Sequence, residues 1–110
     1  MIVFVPERSL EVFRSGYNGN RVNFTCLASE VYPAPKIMMY KENKDEFYRA
    51  RVPSVQLDIS KHPNGRFTVF IVSSVLAEIL HPGALVHCEL RIPGTGYVKI
   101  KSLLYYPQSK

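Results

Sequence analysis

Two cysteines, Cys26 and Cys88, stand 62 positions apart in a chain of 110 residues. Each lies inside a run of alternating apolar residues. Val22, Phe24, Cys26 and Ala28 share one side of residues 21–28; Ala84, Val86, Cys88 and Leu90 share one side of residues 84–91. A period of two marks a strand with one face in a core and the other in water. Neither cysteine belongs to a Cys-x-x-Cys pair or a Cys/His cluster, so no zinc set is formed. So distant a pair in a strand-rich chain points to one disulfide closing a long loop, worth on the order of 4 kcal/mol in the chain-entropy model. That bond needs an oxidising compartment. The alternative is two buried thiols in a cytosolic protein.

The rest of the chain repeats the pattern. Short apolar stretches at residues 2–5, 10–13, 36–41, 47–52, 55–59, 66–76 and 97–105 are separated by Gly, Pro and Asn. Gly16 to Asn20, Lys61 to Gly65 and Pro93 to Gly96 read as turns. Lys41 to Glu46 is polar and reads as a turn as well, and Leu76 to Leu80 as one helical turn before Pro82-Gly83. No segment of ten residues carries a good helical period. About eight strands at this spacing predict an all-β fold: a two-sheet antiparallel sandwich filling one domain, residues 1–110 with a core of about 2–106. With 46% apolar and 21% charged residues, disordered and fibrous classes are excluded. No apolar run is long enough to span a membrane. The opening MIVFV is too short for the core of a secretory leader, so a secreted parent is expected to carry its targeting segment elsewhere, with Met1 an expression start.

Chemistry-bearing patterns are weak. His62 and His81 precede prolines in turns, and His87 points outward from a strand. No Gly-x-Ser-x-Gly elbow exists, Gly94-Thr95-Gly96 is too short to cradle a phosphate, and His81 with His87 makes a poor metal pair. Catalysis, metal and cofactor are therefore not expected. The net charge is +5, but the cations are scattered and do not interleave with aromatics, so nucleic acid is not expected either. Asn23-Phe24-Thr25 is an acceptor for N-glycosylation, and with Cys26 inward Asn23 faces water.

One stretch carries a resemblance. Constant-type immunoglobulin domains hold a cysteine, then an aromatic-Pro-x-Pro run, then a core tryptophan. Cys26, Tyr32-Pro33-x-Pro35 and Tyr40 stand at those offsets, with Leu76, Ile79 and Gly83 leading to Cys88 as in the segment before the second family cysteine. From Leu10 to about Tyr105 the chain is similar to the immunoglobulin superfamily. It departs in having Tyr40 for the tryptophan, no Trp at all, and Val86 where a conserved tyrosine stands two residues before the second cysteine. It thus looks like a divergent membrane-proximal domain of a cell-surface receptor.

That resemblance implies a Greek-key sandwich of strands A, B, E and D against C, F and G, with residues 47–52 as C′, and Cys26–Cys88 pinning B to F. It implies a core of Val22, Phe24, Cys26, Met38, Tyr40, Phe70, Val72, Leu76, Ile79, Val86, Cys88, Leu90, Val98 and Ile100. Ile37, Met39 and Lys41 would then point outward from strand C, His87, Glu89 and Arg91 from F, and Tyr97, Lys99 and Lys101 from G. An apolar centre with a charged rim is the look of a protein interface. The loop Pro93, Gly94, Thr95, Gly96, Tyr97 is a second candidate. The implied role is extracellular: binding another cell-surface protein, a neighbouring immunoglobulin domain or a second copy. A plain spacer, a glycosaminoglycan-binding module and an intracellular muscle-type domain are the rival expectations.

Overall fold

The computed structural model describes residues 4–43, 50–52, 54–80 and 83–106. Strands run over Ser9–Asn18 (β1), Arg21–Val31 (β2), Lys36–Glu42 (β3), Ala50–Val52 (β4), Ser54–Lys61 (β5), Phe67–Leu76 (β6), Ala84–Arg91 (β7) and Val98–Tyr105 (β8), with one 3-10 turn at Ala77–Ile79. Residues 2 and 3, 44–49, Pro53, His81, Pro82 and Pro107, on which some sequence expectations fall, lie outside the described residues.

Two antiparallel four-stranded sheets face each other, ordered β1-β2-β6-β5 and β4-β3-β7-β8. This is the arrangement that the resemblance implies, with β4 as C′. β2 and β7 form as their alternation predicts: Val22, Phe24, Cys26, Ala28, Ala84, Cys88 and Leu90 are fully buried. Burying a large side chain of this kind contributes about 1.5–3 kcal/mol. Cys26 and Cys88 are bonded across the core with their Cα atoms 6.3 Å apart. Strand β1 runs longer than the expected residues 10–13, through Gly16 to Asn18, with a register irregularity between Arg14 and Gly16.

Three strands have the opposite phase to the one expected. On β3, Met39 lies opposite Cys88, Ile37 opposite Leu90 and Lys41 opposite Val86, so these three take the inner side. Met39 is 1% exposed and sits beside the disulfide; Met38 and Tyr40 are half-buried on the outer side. On β6, Ile71 pairs with Cys26, and Val69, Ile71, Ser73 and Val75 face in, while Phe70 and Val72 face out. On β8, Lys101 pairs with Cys88 and Lys99 with Leu90, leaving Val98 and Ile100 outside at 42% and 44% exposure. The physical reason is common to the first two. Ile37-Met38-Met39-Tyr40 and Val69-Phe70-Ile71-Val72 are unbroken apolar runs with no alternation to read; the neighbouring strand fixes their phase. For β8 the reason is its place at a sheet edge, where lysine stems run along the open seam and carry their ammonium groups to water. Ile79, expected in the core, is exposed, and Leu80 is buried instead.

The bulge in β2 places Glu30 at φ 53°, between Ala28 and Val31. Arg8 donates to its carboxylate at 3.0 Å and holds that group below the usual carboxylate range. One buried polar atom is unmatched among the described residues: the Ser73 hydroxyl, on the inner face of β6. An unpaired hydroxyl in a core costs free energy that a methyl group does not. Ser73→Ala is therefore expected to keep or raise stability, by up to about 1 kcal/mol, and Met39→Ala to lower it by about 2–5 kcal/mol. Denaturant unfolding of both variants checks this pair.

Candidate protein-binding face

The outer side of the β4-β3-β7-β8 sheet is built in cross-strand rows. Lys36, Arg91 and Val98 form one; Met38, Glu89 and Ile100 the next; then Tyr40, His87 and Ser102, with Arg51 of β4 beyond Tyr40; then Glu42, Leu85 and Leu104. The rows come from strand register alone, so each side chain has a fixed neighbour.

β7 runs through the middle of this face, and two of its polar side chains are covered. His87 is 4% and Glu89 7% exposed. The His87 ring lies between two partners: Nε2 is 2.9 Å from Glu42 Oε1, and Nδ1 is 2.6 Å from Ser102 Oγ. A carboxylate only accepts, so Nε2 donates toward Glu42, while Nδ1 shares a hydrogen bond with the Ser102 hydroxyl, which can donate or accept. Glu89 is held by Arg91 Nε. His87 and Glu89 thus face outward as expected, but they are enclosed by their own partners and are not presented to another molecule.

Serine, histidine and glutamate in a chain of hydrogen bonds are also the residue types of an acyl-transfer relay. Such a relay needs a concave site to hold the substrate and donors aimed at an oxyanion. Ser102, His87 and Glu42 stand on the broad side of a sheet, and none of them lines the hollows that the surface forms near Tyr97, Ile79 or Leu57. The geometry is that of a satisfied polar network. Among the described residues no group of three or more His, Cys, Asp or Glu side chains is placed to hold a metal ion.

The exposed apolar part of this face lies on the edge strand. Val98, Ile100 and Leu104 are 42%, 44% and 52% exposed; Leu85 beside Leu104 is half-buried, as are Met38 and Tyr40 on the far side of β7. The Tyr40 hydroxyl approaches the Met38 sulfur at 3.9 Å. Of the residues expected to contact a partner, Ile37 and Met39 are withdrawn into the inner side, with Lys41 in the same phase. Lys99 and Lys101 are exposed along the seam, and only Arg91 remains exposed on the outer face itself. Sequence reasoning missed Ile100 and Leu104. Their spacing of four on one strand was available as a signal, but the alternative phase with lysines outside looked equally regular.

The loop after β7 is tied to itself. Thr95 Oγ1 donates to the Ile92 carbonyl at 2.7 Å and accepts from Tyr97 N at 3.1 Å. Gly94 has φ 79°, a conformation that suits glycine. With Lys36 and Arg91, residues Pro93, Thr95, Gly96 and Tyr97 line a hollow of about 260 Å3. The Tyr97 ring lies 5.5 Å from that of Phe4, and its hydroxyl donates to Glu7 at 2.9 Å. Asn23 and Thr25 are half-buried on the outer side of the other sheet, as their phase predicts.

Burial raises the Tyr97 phenol above its ordinary value, and the bond to Glu7 and its charge push the same way. The folded protein therefore favours the neutral phenol. This contribution to stability is complete below the unfolded tyrosine value of about 10 and is lost as pH rises above it. In an alkaline absorbance titration one of the seven tyrosines is expected to ionise late, and Tyr97→Phe to remove that late step. An unchanged late step in Tyr97→Phe would contradict the assignment.

No protein-family model matches the sequence, and no curated protein matches it. Solved structures do. Domain C1 of an IgNAR antibody is similar over 96% of this chain and 97% of its own, with a TM-score of 0.71 at 16% identity. Domain C3 of an IgNAR antibody is similar over 96% of this chain and 100% of its own, with a TM-score of 0.68 at 15% identity. At such identity the likeness concerns the fold. The inter-sheet disulfide, the strand order and these neighbours together make this chain a divergent constant-type immunoglobulin fold.

Proposed function

We propose that this domain is an extracellular recognition module that binds another protein through the outer side of the β4-β3-β7-β8 sheet. The observation that carries the proposal is the row of Val98, Ile100 and Leu104, exposed on one side of an edge strand, with half-buried Leu85 beside Leu104 and half-buried Met38 and Tyr40 across β7. Apolar side chains in contact with water on one face, rimmed by Arg91, Lys36 and Arg51, fit an interface with an apolar centre and polar edge. The His87 network supports the reading: the His87 ring, in the middle of the face, is covered and hydrogen-bonded to Glu42 and Ser102. The disulfide and the antibody constant domains that share the fold support the extracellular setting. Binding by one such face is weak and gains strength when several copies sit on one surface.

A multimerised form of the domain, applied to a panel of cell-surface ectodomains that includes itself, tests this. A specific partner is expected, with at least a tenfold loss (about 1.4 kcal/mol) in Ile100→Asp or Leu104→Asp. Both positions are exposed edge sites where the fold survives the change. Binding that persists in both variants sinks the proposed face. A blank across the panel, self included, makes the domain a spacer.

The same proposal holds that Asn23 carries a glycan in a eukaryotic secretory host. It supports this that Asn23 and Thr25 share the outer side of β2, away from the face assigned to binding. The intact mass is expected to fall by a glycan on enzymatic deglycosylation and to show none in Asn23→Gln; an unmodified wild-type mass refutes it.

A further inference from the structure

A second surface gathers three cations around an apolar hollow. Between the 3-10 turn and the edge where β4 ends lies a hollow of about 210 Å3. Three cations converge on it from three strands: Arg21 of β2, Lys41 of β3 and Arg51 of β4. Its floor is apolar, formed by Val52, Val75 and Ile79 among others, and among the described residues no acidic side chain lines it. Val52 and Val75 are buried, whereas Ile79 is 42% exposed and forms the lip.

Two arginines outside the hollow are paired with carboxylates: Arg8 holds Glu30 and Arg91 holds Glu89. In the hollow, Arg21 donates to the Ser74 hydroxyl at 3.1 Å, which leaves its charge uncompensated. Lys41 and Arg51 have no ion pair among the described residues. Like charges gathered around low-dielectric walls raise the local potential and draw an anion. An anion alone gains nothing from an apolar floor, and an apolar group alone gains nothing from three cations. The two features together select a ligand that has both. The volume sets its size, since a cavity of about 150 Å3 holds benzene. Guanidinium groups stack on aromatic rings and bind sulfate or carboxylate oxygens in pairs.

We infer that this hollow is a binding site for an aromatic anion: one ring bearing a sulfate or carboxylate. The ring seats on Val52, Val75 and Ile79, and the anionic group lies among Arg21, Lys41 and Arg51. The site adjoins the face proposed above, with Arg51 at the border of both, and does not rest on that reading. The anion has two possible sources, a free aryl sulfate or a tyrosine sulfate side chain displayed by a protein.

The test is a two-dimensional amide NMR titration of the domain with phenyl sulfate at constant ionic strength. Phenol and inorganic sulfate serve as half-ligands. Phenyl sulfate is expected to give saturable shifts at residues 21, 41, 51, 52 and 74–79, with a dissociation constant on the order of 1 mM, as suits so small a ligand. Each half-ligand is expected to bind at least about tenfold more weakly. Arg51→Gln and Lys41→Gln should each weaken phenyl sulfate by about tenfold, and Lys99→Gln should leave it unchanged; the spectra themselves report that each variant is folded. A sulfotyrosine peptide that binds about tenfold tighter than phenyl sulfate identifies a protein as the source, and equal affinity identifies a free anion; both uphold the site. Equal shifts from phenol or from inorganic sulfate overturn it. So does binding that is indifferent to Arg51→Gln and Lys41→Gln. If only a heparin oligosaccharide moves these amides, the hollow belongs to a polysaccharide and the inference is wrong.

Discussion

The bond between Cys26 and Cys88 is the constraint on which the other strands depend. It joins the central part of β2 to the central part of β7 and so declares which side of each strand is the core. Register then carries that decision outward. Ile71 faces in because it pairs with Cys26, and Met39 faces in because it pairs with Cys88. A strand shifted by one residue would turn its whole apolar set over. The side chain packed beside the disulfide is thus Met39 rather than Tyr40. Methionine, unbranched and flexible, fills such a space without a hydroxyl to satisfy. Tyr40 is left on the outer side, where its hydroxyl reaches solvent and the Met38 sulfur.

The consequence for function is a change of surface, not of sheet. The outer side of β4-β3-β7-β8 is the face expected from the sequence, yet its exposed apolar residues come from β8 and not from β3. Edge strands leave side chains in reach of solvent on both sides. Hence Val98, Ile100 and Leu104 stand open on one side while Lys99 and Lys101 escape along the other. Covered polar side chains on β7 complete the picture. His87 and Glu89 are held by Ser102, Glu42 and Arg91, so the two covered polar side chains in the middle of the face have their partners within the domain.

Charge tells a separate story. The excess of +5 looks diffuse along the chain. In three dimensions Arg21, Lys41 and Arg51, each on its own strand, meet around one apolar hollow. No spacing rule relates residues 21, 41 and 51, because their meeting depends on which strands close the sandwich at that corner.

What was legible in the sequence was whatever local alternation and punctuation encode. The eight-strand, two-sheet architecture, the disulfide, the phases of β2 and β7, the outward position of Asn23 and the tight turn at Pro93 to Gly96 all follow from period two and from the turn preferences of Gly, Pro and Asn. Tertiary structure alone decided the phases of β3, β6 and β8, the enclosure of His87 and Glu89, and the gathering of three cations. The physical reason is the same in each case. An apolar run without polar interruptions fits a core from either side, and a polar side chain on an outer face is covered or open according to its cross-strand neighbours. Those choices are made by pairing between strands far apart in the chain.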